Sequence, residues 1–292
     1  QAPHRIVAGM RAIYLFGFAL AAGCTGGNGL VEDYVLVASS DSATAVSSGG
    51  VAFGIWNDPV QNAHAVEAAD IWTGLLLGGY GDVGANFAGP AIGQDGAMLY
   101  AANLDFYTSS LRATTPYGSP LWSFPMQAAH ETPPSIGADG TIYIGTNLAG
   151  GALQAFTPSG DPVWVTHLGS TPRGKIAIDR SGNILLHGII DDNDNMELIA
   201  VSSDGDVMWR TPNNVAVLSV YVDNDGNLIT GTYLGDGLDE EYDRSQYIVR
   251  SYAIADGSLN WETNLNGSLT GIHVRPDGVI LITLGERIDD GD

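Results

Sequence analysis

Six histidines are the side chains best suited to proton transfer or metal binding in this 292-residue sequence. None of them pairs at the spacing of a zinc site, so the sequence predicts no histidine-based metal centre. His130 and His167 fall near the ends of repeated sequence units, and His273 lies early in another unit. We interpret these three as candidate ligand-facing residues, with solvated loop histidines as the plainer alternative.

Clustered aspartates in two acidic loops are a second candidate for chemistry, because calcium prefers oxygen ligands. The candidate ligands are Asp191, Asp192, Asp194, Asp236 and Asp239. Neither loop has the spacing of an EF-hand, so a solvated acidic surface is the alternative. Calcium is therefore a candidate cofactor of these loops rather than an established one.

Cys24 is the only cysteine, and it follows a short apolar run after Met10 and Arg11. The eleven residues of that run, 12–22, are too few to cross a bilayer as a helix. Small residues ending in Cys24 resemble a bacterial lipoprotein cleavage box, although an ordinary secretory signal is the alternative. The sequence thus predicts a signal peptide with a lipidation site over 1–24 and a flexible tether over 25–50. It places the protein in the bacterial envelope, on the periplasmic side of the outer membrane or on the cell surface, with a lipid anchor as its only membrane attachment.

The charge balance excludes one class of partner. The net charge is −22, with 33 acidic residues and 11 basic ones. A nucleic-acid-binding protein needs a basic face to neutralise phosphates, so nucleic acid is not an expected partner. The 39 glycines and the 15% content of charged residues favour a turn-rich β protein.

An internal repeat predicts the elements that must position these side chains. Alanine, glycine and tryptophan recur at the same spacing in Ala113, Gly118, Trp122; Ala155, Gly160, Trp164; and Ala200, Gly205, Trp209. A fourth copy, Ala253, Gly257, Trp261, is one residue shorter before its glycine, and Ala63, Ala68, Trp72 is a degenerate copy. A second motif, a glycine turn followed by an apolar run, has its glycines 44, 42, 44 and 52 residues apart at Gly96, Gly140, Gly182, Gly226 and Gly278.

Each unit is predicted to contain four antiparallel strands, because two apolar runs flank one turn and a glycine hairpin joins two further strands. Short β-branched runs without a polar face indicate strands that are buried on both sides. Four strands in 42–52 residues match the period of a β-propeller blade. We therefore predict an all-β propeller over 51–292, with four full blades at about 88–266, a degenerate blade before them and a partial blade after them. The partial blade favours truncation at the C-terminus, with 34–38 as an alternative closing strand.

The segment 133–146, followed by Ala155, Phe156 and Trp164, resembles the pyrroloquinoline-quinone-like (PQQ-like) propeller repeat. The resemblance implies that the repeated residues pack blade against blade, namely Trp122, Trp164, Trp209 and Trp261 with Gly118, Gly160, Gly205 and Gly257. Quinoprotein dehydrogenases and non-catalytic bacterial lipoproteins share this repeat. The single cysteine cannot form the adjacent-cysteine disulfide of many quinoprotein alcohol dehydrogenases, so PQQ is not expected.

The sequence favours a non-catalytic envelope lipoprotein whose propeller binds a protein or a glycan, and it predicts no catalytic residues. No nucleophile elbow, phosphate loop or dinucleotide fingerprint occurs in a strand–turn–helix context. The alternatives are a quinoprotein-type oxidoreductase and a calcium-dependent surface adhesion protein.

Overall fold

The computed structural model describes four segments before residue 50, which are 11–15, 18–22, 34–38 and 44–46. From residue 51 onward it describes the chain except for 59–62, 71–75, 84–85, 94–95, 104–107, 116, 118, 191–195, 214–215, 235–245, 266–267, 275–278 and 286–292. The chain divides into two compact units, Gln1–Met126 and Gln127–Asp292. The lipidation candidate Cys24, the five candidate calcium ligands and Gly118 lie outside the described residues.

The first unit contains three antiparallel sheets. The strands of the first sheet are β1 (Arg11–Leu15), β2 (Phe18–Ala22) and β3 (Tyr34–Ala38). The second sheet comprises β4 (Thr44–Val46), β5 (Val51–Asp58), β6 (Ala63–Asp70) and β7 (Leu76–Val83). The third comprises β8 (Asn86–Ile92), β9 (Met98–Asn103), β10 (Ser109–Thr114) and β11 (Pro120–Met126). The strand 34–38 therefore pairs with 18–22 and not with the last strands of the chain.

The described residues of the second unit form three four-stranded sheets and one final pair of strands. Its first sheet comprises β12 (Ser135–Ile136), β13 (Ile142–Thr146), β14 (Ala152–Phe156) and β15 (Pro162–His167), with a short 3₁₀ turn at Leu148–Gly150. Its second comprises β16 (Thr171–Ile178), β17 (Ile184–Ile189), β18 (Met196–Val201) and β19 (Val207–Asn213). Its third comprises β20 (Ala216–Val222), β21 (Leu228–Leu234), β22 (Gln246–Tyr252) and β23 (Leu259–Leu265), and the final pair is β24 (Ser268–Val274) and β25 (Ile280–Gly285).

Each four-stranded sheet of the second unit is a meander, in which every strand pairs antiparallel with the next in sequence. This arrangement confirms the four-strand repeat predicted from the sequence. The middle strands β13 and β14 are buried at every position, as the unbroken apolar runs indicate. The outer strand β15 alternates between exposed and half-buried residues, because only one of its faces packs on a neighbour.

The core of this unit lies between successive sheets. One cluster joins residues of the sheets β12–β15 and β16–β19, including Tyr143, Leu153, Ile184 and Ile199. A second cluster joins β16–β19 to β20–β23 through Leu185, Leu198, Val220, Leu228 and Tyr252. Both faces of a middle strand are therefore removed from water, which is the main favourable term in folding.

Aspartate side chains stabilise the turns between first and second strands. Asp179 Oδ1 accepts hydrogen bonds from the backbone N–H groups of Ser181 and Asn183, each at 2.8 Å. Asp223 makes the equivalent bonds to Asp225 and Asn227 at 2.9 and 2.8 Å. These are Asx-type turns, in which a short carboxylate replaces a backbone acceptor. Part of the acidity of the sequence is therefore turn chemistry.

Tryptophan connects two of the outer strands, β15 and β19, to the turn between the third and fourth strands of the next sheet. Trp164 Nε1 donates to the carbonyl oxygen of Ser203 at 3.0 Å, and Trp209 Nε1 donates to that of Ile254 at 2.6 Å. Each indole lies against the turn glycine of the next sheet. A Cβ at Gly205 would lie 2.9 Å from the Trp164 ring, and a Cβ at Gly257 would lie 2.7 Å from the Trp209 ring. The spacing of tryptophan and glycine in the sequence thus reflects contacts between neighbouring sheets.

Two copies of the repeat have a different register from the one that the sequence suggested. Trp261 pairs with Ser251 and not with Ala253. The N–H of Ala253 instead donates to the carbonyl oxygen of Ser258 within the turn. The turn is one residue longer, and serine replaces the repeated alanine. In the sheet β4–β7, Ala68 pairs with Gly78. The position of the repeated tryptophan is therefore occupied by Gly78, and Trp72 lies outside the described residues.

Gly205→Ala is expected to destabilise the protein more than Gly169→Ala does. Both glycines have positive φ, 93° and 70°, so alanine at either position costs about 1–2 kcal/mol in backbone conformation. Gly169 has no atom near its Cβ position, whereas the Cβ at Gly205 would contact Trp164. Overpacking of this kind adds about 1–3 kcal/mol. Urea denaturation followed by circular dichroism measures both changes, and equal losses would contradict the contact.

Candidate functional site

The connections between sheets in the second unit bring several polar side chains to one end of the strands. This end, called here the connection face, carries the connections from fourth to first strands and from second to third strands. His167 is the last residue of β15 and is exposed, whereas His130 forms a β-bridge with Thr146 at the end of β13. Both candidate histidines therefore lie at the connection face.

His130 is buried and is not a solvated loop histidine. Its relative exposure is 6%, and burial lowers its pKa to about 4. Two hydrogen bonds of 2.8 Å hold the chain around it. The N–H of Glu131 donates to the carbonyl oxygen of Gly145, and the N–H of Gly145 donates to Thr132 Oγ1. His130 is therefore neutral at pH 7 and belongs to the packing of this connection.

The first strand β16 departs from a regular ladder near the connection face. Arg173 pairs with His187 and Ala177 pairs with Leu185, so three residues, 174–176, stand opposite Leu186 alone. Such an insertion bends the strand and directs side chains out of the ladder. Arg173, Gly174 and Lys175 together form what we call the basic bulge. All three residues are exposed, and Lys175 is the only lysine of the chain.

Contacts to the preceding sheet hold the basic bulge on both sides. Arg173 Nη1 donates to Glu131 Oε2 in a salt bridge. Ser135 Oγ donates to the carbonyl oxygen of Ile176 at 3.2 Å. Burial raises the pKa of Glu131, and the Arg173 guanidinium acts in the opposite direction. The basic bulge is thus a positioned element that carries two cations, Arg173 and Lys175, beside the carboxylate of Glu131. The net charge of the whole chain is −22.

His187 lies on β17 directly across from Arg173, with a relative exposure of 4%. Burial lowers its pKa to about 4, and the positive charge of Arg173 contributes to the same direction. Its Nδ1 is buried without a hydrogen-bond partner among the described residues, and so is the hydroxyl of Ser170 just before β16. A buried polar atom without a partner is uncommon in native structures.

The sequence interpretation did not select His187. The repeat nevertheless marks this residue as unusual. Counting from the glycine in the turn between the first and second strands, the fifth residue is small in other repeats, at Ala101, Gly145 and Gly231. In the third repeat this position is His187. His273, which was selected, pairs with Leu281 through its backbone, and its side chain lies outside the described part of the chain.

The repeated tryptophans occupy different environments. Trp209 is buried at 9% relative exposure and Trp164 is half-buried, and each contacts the next sheet. Trp122 is half-buried and pairs with Ala113. Trp261 is 40% exposed, on a strand whose residues are mostly exposed.

Neither a metal-binding cluster nor a membrane-spanning helix occurs among the described residues. No group of three or more histidine, cysteine, aspartate and glutamate side chains there is arranged to hold a metal ion. No helix in that part of the chain has the length and apolar character needed to span a bilayer.

Known structures show the same fold. BamB from Moraxella catarrhalis aligns with a TM-score of 0.58 at 17% identity, over 91% of this chain and 76% of that one. A protein of unknown function from Bacteroides caccae aligns at 0.54 and 13%, over 85% and 90% of the two chains. BBS1N, solved in complex with ARL6DN, aligns at 0.56 and 14%, over 83% and 74%. No protein-family model matches this sequence, and no curated protein matches it either. The similarity confirms a propeller-type repeat protein built from four-stranded antiparallel sheets.

Proposed function

We propose that this protein is a non-catalytic scaffold of the bacterial envelope, attached by a lipid at Cys24, that binds a protein partner through its connection face. The observation that carries the proposal is the basic bulge. Salt-bridge and backbone contacts position it, and it presents Arg173 and Lys175 to solvent. A rigid surface with exposed cations binds without a large ordering cost.

Regular packing between the sheets supports a scaffold role. The indoles of Trp164 and Trp209 dock on successive turns, so the sheets support one another while their connections differ in sequence. Function is commonly carried by connections on a rigid framework. BBS1N, which has a similar fold, was solved with a protein partner, and this favours a protein over a glycan as the ligand here.

The position of Cys24 supports envelope attachment. A cysteine preceded by small residues and a short apolar run is the arrangement required for lipidation after export. An anchored propeller would lie at the periplasmic side of the outer membrane or at the cell surface. Its excess of 22 negative charges keeps the protein soluble and disfavours attachment to anionic lipid through charge.

A quinone cofactor is not part of this proposal. PQQ carries three carboxylates, which require several cationic donors around one site. In the described residues of the second unit, the basic bulge is the only place where two basic residues lie within two positions of each other. Arg173 is already paired with Glu131 there. These residues do not fit a tricarboxylate.

Cross-linking in cells tests the scaffold and its anchor together. Wild-type protein is expected to incorporate a fatty-acid probe and to cross-link to an envelope protein, whereas Cys24→Ser loses the probe. The double change Arg173→Glu and Lys175→Glu should reduce the cross-linked product at least tenfold, because it replaces attraction with repulsion. Arg180→Glu is the matched control, since Arg180 lies in a turn at the other end of the strands and donates to Asn224.

Three results would contradict the proposal. Fatty-acid label that persists in Cys24→Ser would show that Cys24 is not the lipid attachment site. Undiminished cross-linking by the Arg173→Glu and Lys175→Glu double variant would show that the basic bulge is not part of the interface. Retained quinone absorbance with substrate-dependent dye reduction, after addition of PQQ and Ca²⁺, would replace the scaffold with an oxidoreductase.

A further inference from the structure

His187 occupies a position at which the neighbouring repeats have little room. At the equivalent Gly145, a Cβ would lie 2.6 Å from Pro172 Cβ and 2.7 Å from Thr132 Cγ2. At this position, the second strand of one sheet therefore packs closely against the first strand of the following sheet. An imidazole is accommodated in the third repeat only because the adjacent backbone is different.

Gly174 provides that difference. It lies in the widened part of β16 at φ 64°, and a Cβ there would lie 2.9 Å from His187 Cε1. The same Cβ would lie 3.6 Å from Nε2 and 4.0 Å from Nδ1. The ring edge that carries both nitrogens therefore packs against Gly174, which has no side chain to place over it.

The unsatisfied polar atom of this ring points to a ligand. Nδ1 of His187 is buried and makes no hydrogen bond to any described residue. The two exposed cations of the basic bulge stand immediately before and after Gly174. A group that enters beside Gly174 would therefore meet two positive charges at the surface and an imidazole below them.

We propose that the basic bulge and His187 form a binding site for a single carboxylate of the protein partner, either its C-terminus or an acidic side chain. The proposal rests on the proposed function and specifies the chemistry of that interface. Arg173 and Lys175 attract the carboxylate, and the imidazole N–H donates to one of its oxygens beside Gly174.

Charge selects a carboxylate over larger anions. A guanidinium presents a planar set of donors that matches a carboxylate, and Arg173 uses one of its nitrogens for Glu131. The local charge of Arg173, Lys175 and Glu131 balances one negative charge. A polyanion would be repelled by the surrounding protein, whose net charge is −22.

Binding of a model carboxylate tests the site directly on the full chain. The probes are N-acetyl trialanine as its free acid and as its amide, and the readout is the nitrogen resonances of the His187 ring, assigned with His187→Gln. We expect a saturable shift with the free acid at millimolar concentration. Binding of the amide should be at least tenfold weaker, because the amide lacks the negative charge.

Gly174→Ala places a methyl group against the ring edge, where a Cβ would lie 2.9 Å from Cε1, and should abolish the shift. Gly169→Ala is the matched control, since its φ of 70° gives a similar backbone cost and its Cβ position is open. Lys175→Met should weaken binding of the free acid severalfold without changing the fold. It removes the charge and keeps an unbranched side chain of similar size.

Several outcomes would overturn the site. Equal shifts with acid and amide, or an undiminished shift in Gly174→Ala, would exclude a carboxylate at this position. Inorganic phosphate binding more than tenfold tighter than the peptide acid would assign the site to phosphate instead. If the probe fails while cross-linking in cells still depends on Arg173 and Lys175, then the scaffold remains and only this site is lost.

Discussion

Trp209→Ala is expected to lower the free energy of unfolding by about 3–5 kcal/mol, whereas Trp261→Ala should lower it by less than about 1 kcal/mol. Trp209 is buried between two sheets, and its indole N–H donates to Ile254 in the turn of the next sheet. Trp261 occupies the equivalent strand position but is 40% exposed. Truncation of the first therefore leaves a cavity and an unpaired carbonyl, and truncation of the second exposes a surface that already meets water.

Thermal denaturation and urea titration followed by circular dichroism measure this difference. For a unit of this size, the loss in Trp209→Ala corresponds to a fall in melting temperature of roughly 6–20 °C. A double-mutant cycle with Gly257→Ala tests the contact itself, because the new methyl group at residue 257 meets the Trp209 ring. Gly257→Ala should cost less in the Trp209→Ala background than in the wild type. Equal losses for the two tryptophans, or an additive cycle, would contradict docking.

Acid is expected to destabilise the second unit through His187 and His130 well above the pH at which carboxylates are usually protonated. Both histidines have a pKa of about 4 in the folded protein, against 6.5 as the ordinary value. Between these values the unfolded chain binds protons that the folded protein does not, so stability falls as the pH falls from about 6.5 to about 4. Each histidine should contribute a loss of about 2 kcal/mol between pH 7 and pH 5.

His187→Gln tests the contribution of His187 to this effect while keeping a polar side chain. Urea titrations at pH 7, 6 and 5 should show a smaller loss of stability in His187→Gln than in the wild type, with the contribution of His130 remaining. His167→Gln is the matched control, because it makes the same substitution at an exposed position at the end of β15. An identical pH dependence in His187→Gln would show that this imidazole is protonated in the folded state without cost.

The propeller-type fold was predictable because its determinants are local and repeated. Apolar runs without a polar face predicted the middle strands, and these are buried throughout in β13 and β14. The spacing of Ala155, Gly160 and Trp164 predicted a hairpin, since alanine and tryptophan pair across it. Where a repeat changed length the same reasoning failed, so Ala253 was aligned where Ser251 pairs with Trp261. A one-residue difference in a turn is invisible to a spacing pattern.

The candidate site was less predictable because its parts are distant in sequence. Arg173 and Glu131 are 42 residues apart, and neither residue type alone indicates a salt bridge. His130 was expected at a connection, and its burial depends on packing that no local pattern encodes. His187 departs from a small position of the repeat, and this was the one local sign that the third repeat differs.

The amino-acid sequence alone determined the strand repeat, the turns stabilised by aspartate, the acidic charge and the candidate lipidation site at Cys24, because each depends on residues close together in the chain. Only the tertiary structure decided which turn each tryptophan contacts and where β16 bulges. It also decided that Gly174 packs against the His187 ring beside Arg173. These features arise where neighbouring sheets meet, and the packing of residues tens of positions apart sets both the burial and the charge at that boundary.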